Sequence, residues 1–163
     1  MSETRQPNSR HCFLCGIENP IGLRLVWYED EDNRVYADFT PSEEHQGYPG
    51  VLHGGIACAL LDETIGRTLV RDDIWAMTVD MNVRFRKPIP LNRPVRVVGE
   101  MSRLRSRTME GHGEILLEDG TVAASAEARY IRLPDDKVDA FRDQLGFWQV
   151  LPDGELPDAT QER

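Results

Sequence analysis

The chain lacks any run of apolar residues approaching the roughly 18 that a membrane span needs, and Met1 to Arg10 contain no apolar core of a secretion signal. A cytoplasmic protein is expected. Cysteine is scarce and odd in number, with Cys12, Cys15 and Cys58 alone, so a disulfide framework of the secreted kind is excluded and reduced thiols are expected. His11-Cys12-Phe13-Leu14-Cys15-Gly16 has the spacing of a metal half-site. No second cysteine pair exists to close a four-ligand zinc site, so no metal is expected. Positive charge is also short. A net charge of -9 and a pI of about 4.9 argue against duplex nucleic acid as partner, because phosphate binding depends on a basic surface. There are no internal repeats, and 163 residues suit one domain, long enough to bury roughly two thirds of its unfolded surface.

The pattern that is present divides the chain. Residues 1–10 are polar and charged and are expected to be disordered; residues 11–150 carry the domain; residues 151–163 read as a flexible acidic tail. Arg24 to Tyr28 and Val35 to Phe39 alternate as two short strands around the turn-prone Glu29 to Asn33. Pro41, Gly47, Pro49 and Gly50 punctuate a loop. From His53 to about Arg71 there is no proline, and Ile56, Ala59, Leu60, Ile65 and Leu69 recur at helical spacing. Met77 to Arg86 then alternates: Val79, Met81, Val83 and Phe85 face one way, and Thr78, Asp80, Asn82, Arg84 and Arg86 the other. Val95 to Arg107, Gly111 to Leu117 and Val122 to Leu133 predict three further strands, with Asp119-Gly120 as a tight turn. Pro134 ends the last, and Asp135 or Asp136 is placed to cap a short helix with Val138, Phe141 and Leu145 as its apolar stripe. One long helix cannot cover a parallel sheet. An antiparallel sheet wrapped around that helix satisfies both apolar faces, which is an α+β class fold.

The helix carries the groups with chemical potential. Gly54 and Gly55 at its start leave backbone N–H groups without intrahelical acceptors and without side chains to shield them, so an oxygen gaining negative charge can approach. The alternative is that these glycines only permit a sharp turn. Asp62 and Glu63 interrupt an apolar run, where a carboxylate is costly unless compensated. Glu63 has Arg67 four residues on, the favourable helical ion pair. Asp62 has only Cys58, Ala59, Ile65 and Gly66 as its helical neighbours, so it is either a reactive acid or the partner of an arginine from another strand.

Gly54 and Asp62 are eight residues apart, about 12 Å along a helix axis. Acting on one carbonyl carbon, they must come from two chains, and antiparallel helices across a twofold axis would give two equivalent sites. A homodimer at least, or a tetramer, is expected. Between Arg84 and Arg107 there are also eight basic residues against the single acid Glu100, a candidate surface for phosphates or simply solvated strand faces.

His45 to Glu63, HQGYPGVLHGGIACALLDE, followed by Thr78-Val79-Asp80-Met81-Asn82, resembles the hotdog-fold acyl-CoA thioesterases, notably the phenylacetyl-CoA and 4-hydroxybenzoyl-CoA types. The likeness covers roughly residues 45 to 132. It implies a hotdog fold and hydrolysis of an acyl-CoA thioester, with coenzyme A as part of the substrate and no separate cofactor. By that resemblance Asp62 is base or nucleophile, Gly54 holds the thioester oxygen with Gly55 as a second candidate amide, and Thr78 positions water. It also implies that Gln46 assists the oxygen and that His53 and His45 support the loop. With coenzyme A in the substrate, Arg84 and Arg86 of the basic stretch become the candidates to receive its phosphates, since arginine pairs well with them. Asn19-Pro20 and Gly22-Leu23 after the C-x-x-C-G likewise resemble a structural entry to the first strand in such enzymes. A non-catalytic hotdog that binds acyl-CoA is the alternative.

Overall fold

The computed structural model describes residues 3–154. Its strands are β1 (Thr4–Arg5), β2 (Asn8–Ser9), β3 (Tyr28–Glu29), β4 (Val35–Phe39), β5 (Ala76–Phe85), β6 (Val95–Leu104), β7 (Thr108–Leu116), β8 (Val122–Arg132) and β9 (Trp148–Gln149). Two α-helices accompany them, α1 (Gly54–Arg67) and α2 (Asp135–Leu145). Seven strands form one antiparallel sheet in the order β1-β3-β4-β6-β7-β8-β5, and β2 pairs separately with β9. The sheet wraps α1, which touches β4, β5, β6, β7 and β8. This is the hotdog architecture expected from the sequence. No helix among the described residues is long and apolar enough to cross a membrane.

Small residues on the sheet let α1 come close. Ala57, Leu60, Leu61, Thr64 and Ile65 form its buried stripe at helical spacing. Opposite them β8 presents Ala124, Ala126 and Ala128 at every second position, all buried. On β7, a Cβ built at Gly113 would stand 2.8 Å from Ile65 Cγ1, and one at Gly111 would overlap Ile65 more severely, so a side chain at either position would have to displace Ile65. Trp27, wholly buried, closes the other end by donating its indole N–H to Thr64 Oγ1 at 2.9 Å.

Several sequence expectations need correction. Residues 4–9 are not disordered: β1 pairs with β3, β2 pairs with β9, and Gln6, Asn8 and Ser9 are buried. Their polar side chains bond buried backbone instead of water. Asn8 Nδ2 donates to the Cys15 and Leu25 carbonyls at 2.9 Å each, and Gln6 Nε2 donates to the Arg67 carbonyl at 3.1 Å. The strand expected over Arg24 to Tyr28 reduces to β3, because Arg24 takes a positive φ of 53° and the Leu23 and Leu25 N–H groups bond to Phe13 and Leu14. Pro134, not Asp135 or Asp136, occupies the N-cap of α2, and the two aspartates fall in its first turn, where the helix dipole favours them. Of the acidic tail expected over 151–163, residues 151–154 are irregular, with Asp153 paired to Arg5 at 2.8 Å; the rest lies outside the described residues.

Candidate active site

β5 returns alongside α1 in the opposite direction, so its start faces the helix middle and its end faces the helix start. Thr78 stands beside Asp62, and Phe85 lies against Gly54, 3.5 Å from where a Cβ would be. The register slips between Thr78, opposite Tyr130, and Asp80, opposite Arg129, leaving Val79 as an extra residue. This bulge inverts the alternation read from the sequence. Ala76 packs on the core before it, Met81 and Val83 after it, and Thr78 turns from the expected polar face towards the helix.

Asp62 is the centre of the resulting constellation. The Thr78 hydroxyl donates to its Oδ1 at 2.7 Å, and the Tyr130 hydroxyl donates to its main-chain carbonyl at 3.0 Å and its Oδ1 at 3.4 Å. No cation is paired with it among the described residues. Glu63 behaves differently and as expected, accepting from Arg67 Nε at 2.9 Å. The Arg67 guanidinium is itself held between the rings of Trp27 and Trp148, at 4.4 and 5.3 Å from their centroids. Burial first, then the Asp62 charge, pushes the Tyr130 phenol well above its ordinary range, so it stays a proton donor. Asp62, Thr78 and Tyr130 line a cavity of about 470 Å³ whose other walls include Cys12, Trp75 and Trp148.

Tyr130 was missed by sequence reasoning. It continues the inward series Ala124, Ala126, Ala128, and the only large residue in a row of alanines marks where the strand meets something other than a close-packed helix. Gly66 opposes it: a Cβ there would stand 3.5 Å from the Tyr130 ring, ordinary contact and no obstruction.

The remaining predicted residues lie elsewhere. Gly54, Gly55, His53 and Gln46 cluster at the helix start, outside this cavity. His53 caps the helix, its Nδ1 accepting from the Gly55 N–H at 2.9 Å, so Gly55 has no amide to offer an oxyanion. The Gly54 N–H has no acceptor among the described residues. Gln46 accepts from the Gly50 N–H at 2.9 Å through its side-chain oxygen, which ties it to its own loop. His45 organises that loop, its Nδ1 accepting from the Ser42 N–H at 2.9 Å. The basic stretch does not form one surface. β7 and β8 lie between β5 and β6, which puts Arg84 about 14 Å from the β6 arginines, and Arg96 and Arg93 are engaged by Asp38 and Glu118. Arg84 and Arg86 remain exposed, without an ion-pair partner among the described residues.

Comparison with known proteins agrees with this architecture. Residues 49–124 match the family model described as the thioesterase superfamily. A crystal structure of a thioesterase superfamily protein superposes with a TM-score of 0.71 at 30% identity, covering 75% of this chain and 60% of that one. The chain is thus similar in sequence and in fold to the hotdog-fold thioesterases. Mouse (Mus musculus) acyl-coenzyme A thioesterase THEM4 is 28% identical over 127 residues, which are 77% of this chain and 55% of that protein. The chain thus spans about half the length of the curated relatives it matches. A hypothetical thioesterase of Streptococcus pneumoniae TIGR4, solved with coenzyme A, shares the fold at 18% identity and a TM-score of 0.59, over 61% of this chain and 78% of that one.

Proposed function

We propose that this protein hydrolyses acyl-CoA thioesters to the free acid and CoA, with Asp62 as the reacting carboxylate. The observation that carries this reading is the placement of Asp62: a carboxylate on a cavity wall, aimed by two hydroxyls and left without a neutralising cation. A purely structural acid in an apolar helix would be paired, as Glu63 is. Its relatives' activity as acyl-coenzyme A thioesterases supports the choice of substrate.

In this scheme the thioester oxygen is held by the free N–H of Gly54 at the start of a helix, where the helix dipole also favours developing negative charge. Asp62 either takes a proton from the attacking water or adds to the carbonyl itself to form an anhydride, and Thr78 holds the carboxylate in position. In the base route the protonated Asp62 returns its proton to the departing CoA thiolate; in the anhydride route the thiolate leaves as the anhydride forms and takes a proton from solvent, and water then hydrolyses the anhydride to release the acid and restore Asp62. The two groups are about 12 Å apart along α1, so the Gly54 donor comes from a second copy of the chain. β5 supports that assembly. It is a ten-residue edge strand whose outer edge has no partner among the described residues, and Met77, Val79 and Phe85 are 54%, 51% and 57% exposed along it. Arg84, on the same strand, and Arg86, just beyond its end, are the groups that would meet the CoA phosphates. The reaction requires no cofactor besides the CoA carried by the substrate.

The test is a spectrophotometric screen of aromatic, short-chain and long-chain acyl-CoA esters, with Asp62→Ala as control. Release of thiol by the native chain, abolished in Asp62→Ala while CoA ester binding persists, supports hydrolysis. A native chain that binds acyl-CoA without cleaving any of the panel overturns it in favour of a binding protein. A single turnover in heavy-oxygen water tests for the anhydride: label in the Asp62 carboxylate marks an anhydride opened at the aspartyl carbonyl, whereas label in the acid is common to the base route and to an anhydride opened at the acyl carbonyl.

A further inference from the structure

The sequence offers half a metal site, and the fold supplies what the sequence does not show. Cys12 and Cys15 lie on the turn that follows β2, and Glu63 on the adjoining turn of α1. The two sulfurs and a Glu63 carboxylate oxygen all lie within 4.8 Å of one another. Cys15 is buried and Cys12 half-buried, and all three residues line the cavity described above.

The surroundings are built to support charged sulfur. The Leu14 N–H points at Cys12 Sγ from 3.4 Å, and Ser9 Oγ is 3.3 Å from Cys15 Sγ. A neutral thiol is a weak acceptor, and such donors gain most when the sulfur is a thiolate. The turn closes through the Gly16 N–H to the Cys12 carbonyl at 2.8 Å, so tightly that a Cβ on Gly16 would lie within 3 Å of the Cys12 backbone. The Glu63 carboxylate is oriented by Arg67 through one oxygen, which leaves the other for a ligand. Two thiolates and one carboxylate carry three negative charges. Arg67 and one divalent cation would balance them.

We propose that Cys12, Cys15 and Glu63 bind a divalent thiophilic cation, zinc foremost, which pins the N-terminal arm to α1 beside Asp62. Two sulfurs and a carboxylate are zinc ligands, and thiolates disfavour calcium and magnesium. Zinc–ligand bonds of about 2.0–2.3 Å need the three atoms to draw in by roughly 1 Å, within the reach of side-chain rotation. Binding displaces one proton from each thiol, so the cation replaces two protons and no oxidant is involved. The fourth position opens on the cavity and suits a water. This site stands independently of the thioesterase reading.

The full chain, purified with reductant and without chelator, is expected to carry about one equivalent of zinc by mass spectrometry of the metal. After its removal, cobalt(II) is expected to restore the intense thiolate charge-transfer band in the near ultraviolet and to raise the melting temperature. Cys12→Ser and Cys15→Ser lose the band. Glu63→Gln keeps it but weakens cobalt affinity by at least about tenfold, the loss that even outer partners of metal ligands cause. Cys58→Ser binds as the native chain does. A native chain that is free of metal and gives no cobalt band overturns the proposal, with no variant needed. So does a band that survives in Cys12→Ser, or a native Cys12–Cys15 disulfide shown by the loss of two hydrogens in the intact mass.

Discussion

The Thr78 hydroxyl reaches Asp62 Oδ1 at 2.7 Å only because Val79 is an extra residue in β5. Without that bulge the strand's period of two would set Thr78 on the face of Asp80 and Asn82, away from the helix. The bond fixes which way the carboxylate points. The second carboxylate oxygen has no hydrogen-bond partner among the described residues.

Replacing Asp62 with Asn keeps the size of the side chain and an oxygen for Thr78 to donate to, while removing the charge. The turnover number on an acyl-CoA substrate is expected to fall by about 10²–10⁴, the range of a positioned acid or base, with little change in melting temperature. Thr78→Ala leaves the acid in place but unaimed, and is expected to lower turnover by a smaller factor. A Thr78→Ala variant slower than Asp62→Asn would contradict this ordering.

Tyr130→Phe preserves the ring that packs beside Gly66 and removes the hydroxyl bonded to the Asp62 carbonyl. The lost hydrogen bond is worth about 0.5–1.5 kcal/mol in urea unfolding, and turnover should drop by no more than about tenfold. An unchanged rate would show that Tyr130 serves only the fold.

The central helix, β4 and the sheet's long strands were legible because their apolar periods are clean. Asp62 and Glu63 could be told apart from one fact, the arginine four residues after Glu63. What stayed hidden depends on contacts between distant residues. The bulge at Val79 has no glycine or other local marker, so strict alternation put Thr78 on the wrong face. Tyr130 looked like an ordinary strand aromatic. The N-terminal arm appeared disordered because its Gln6 and Asn8 are polar, yet both are used to bond buried carbonyls, including that of Arg67, 61 residues away. The basic stretch appeared continuous because β5 and β6 are neighbours in sequence, whereas two strands separate them in the sheet.

Trp27 and Thr64 join the chain entering the sheet to the buried side of α1. Thr64→Val is nearly isosteric and leaves the indole N–H of Trp27 without its acceptor in the core. Such an orphaned buried donor costs about 1–3 kcal/mol, which a lowered urea midpoint at constant slope will report. Turnover per folded molecule should be unaffected.

Gly113→Ala tests how closely the helix is pressed on the sheet. The added methyl group meets Ile65 Cγ1 at 2.8 Å and Cδ1 at 3.1 Å, and overpacking of this kind costs about 1–3 kcal/mol. Ile65→Ala alone should also destabilise, by leaving a cavity. Since each change makes room for the other, the double variant is expected to be less destabilised than the sum of the two, and simple additivity in a double-mutant cycle would refute the contact.

His112 gives the fold a pH dependence unrelated to the reacting acid. It sits on β7 with Glu127 Oε1 at 2.8 Å from its Nδ1 and Glu114 Oε1 at 3.3 Å from its Nε2, and Glu100 lies opposite on β6. Burial alone would lower its pKa, but the bonds to Glu114 and Glu127 outweigh burial and hold it above the ordinary imidazole value. Because the folded value is the higher one, the folded state binds the proton more tightly than the unfolded chain. The stabilisation is therefore complete below about pH 6.5 and disappears as pH rises through the folded value. Both carboxylates are partly exposed, at 39% and 70%, so solvent screening keeps the effect under about 1 kcal/mol. Urea unfolding of the native chain and His112→Gln should show the native chain's advantage at acid pH shrinking towards alkaline pH; an advantage that grows with pH would mean that the imidazole is neutral in the folded protein.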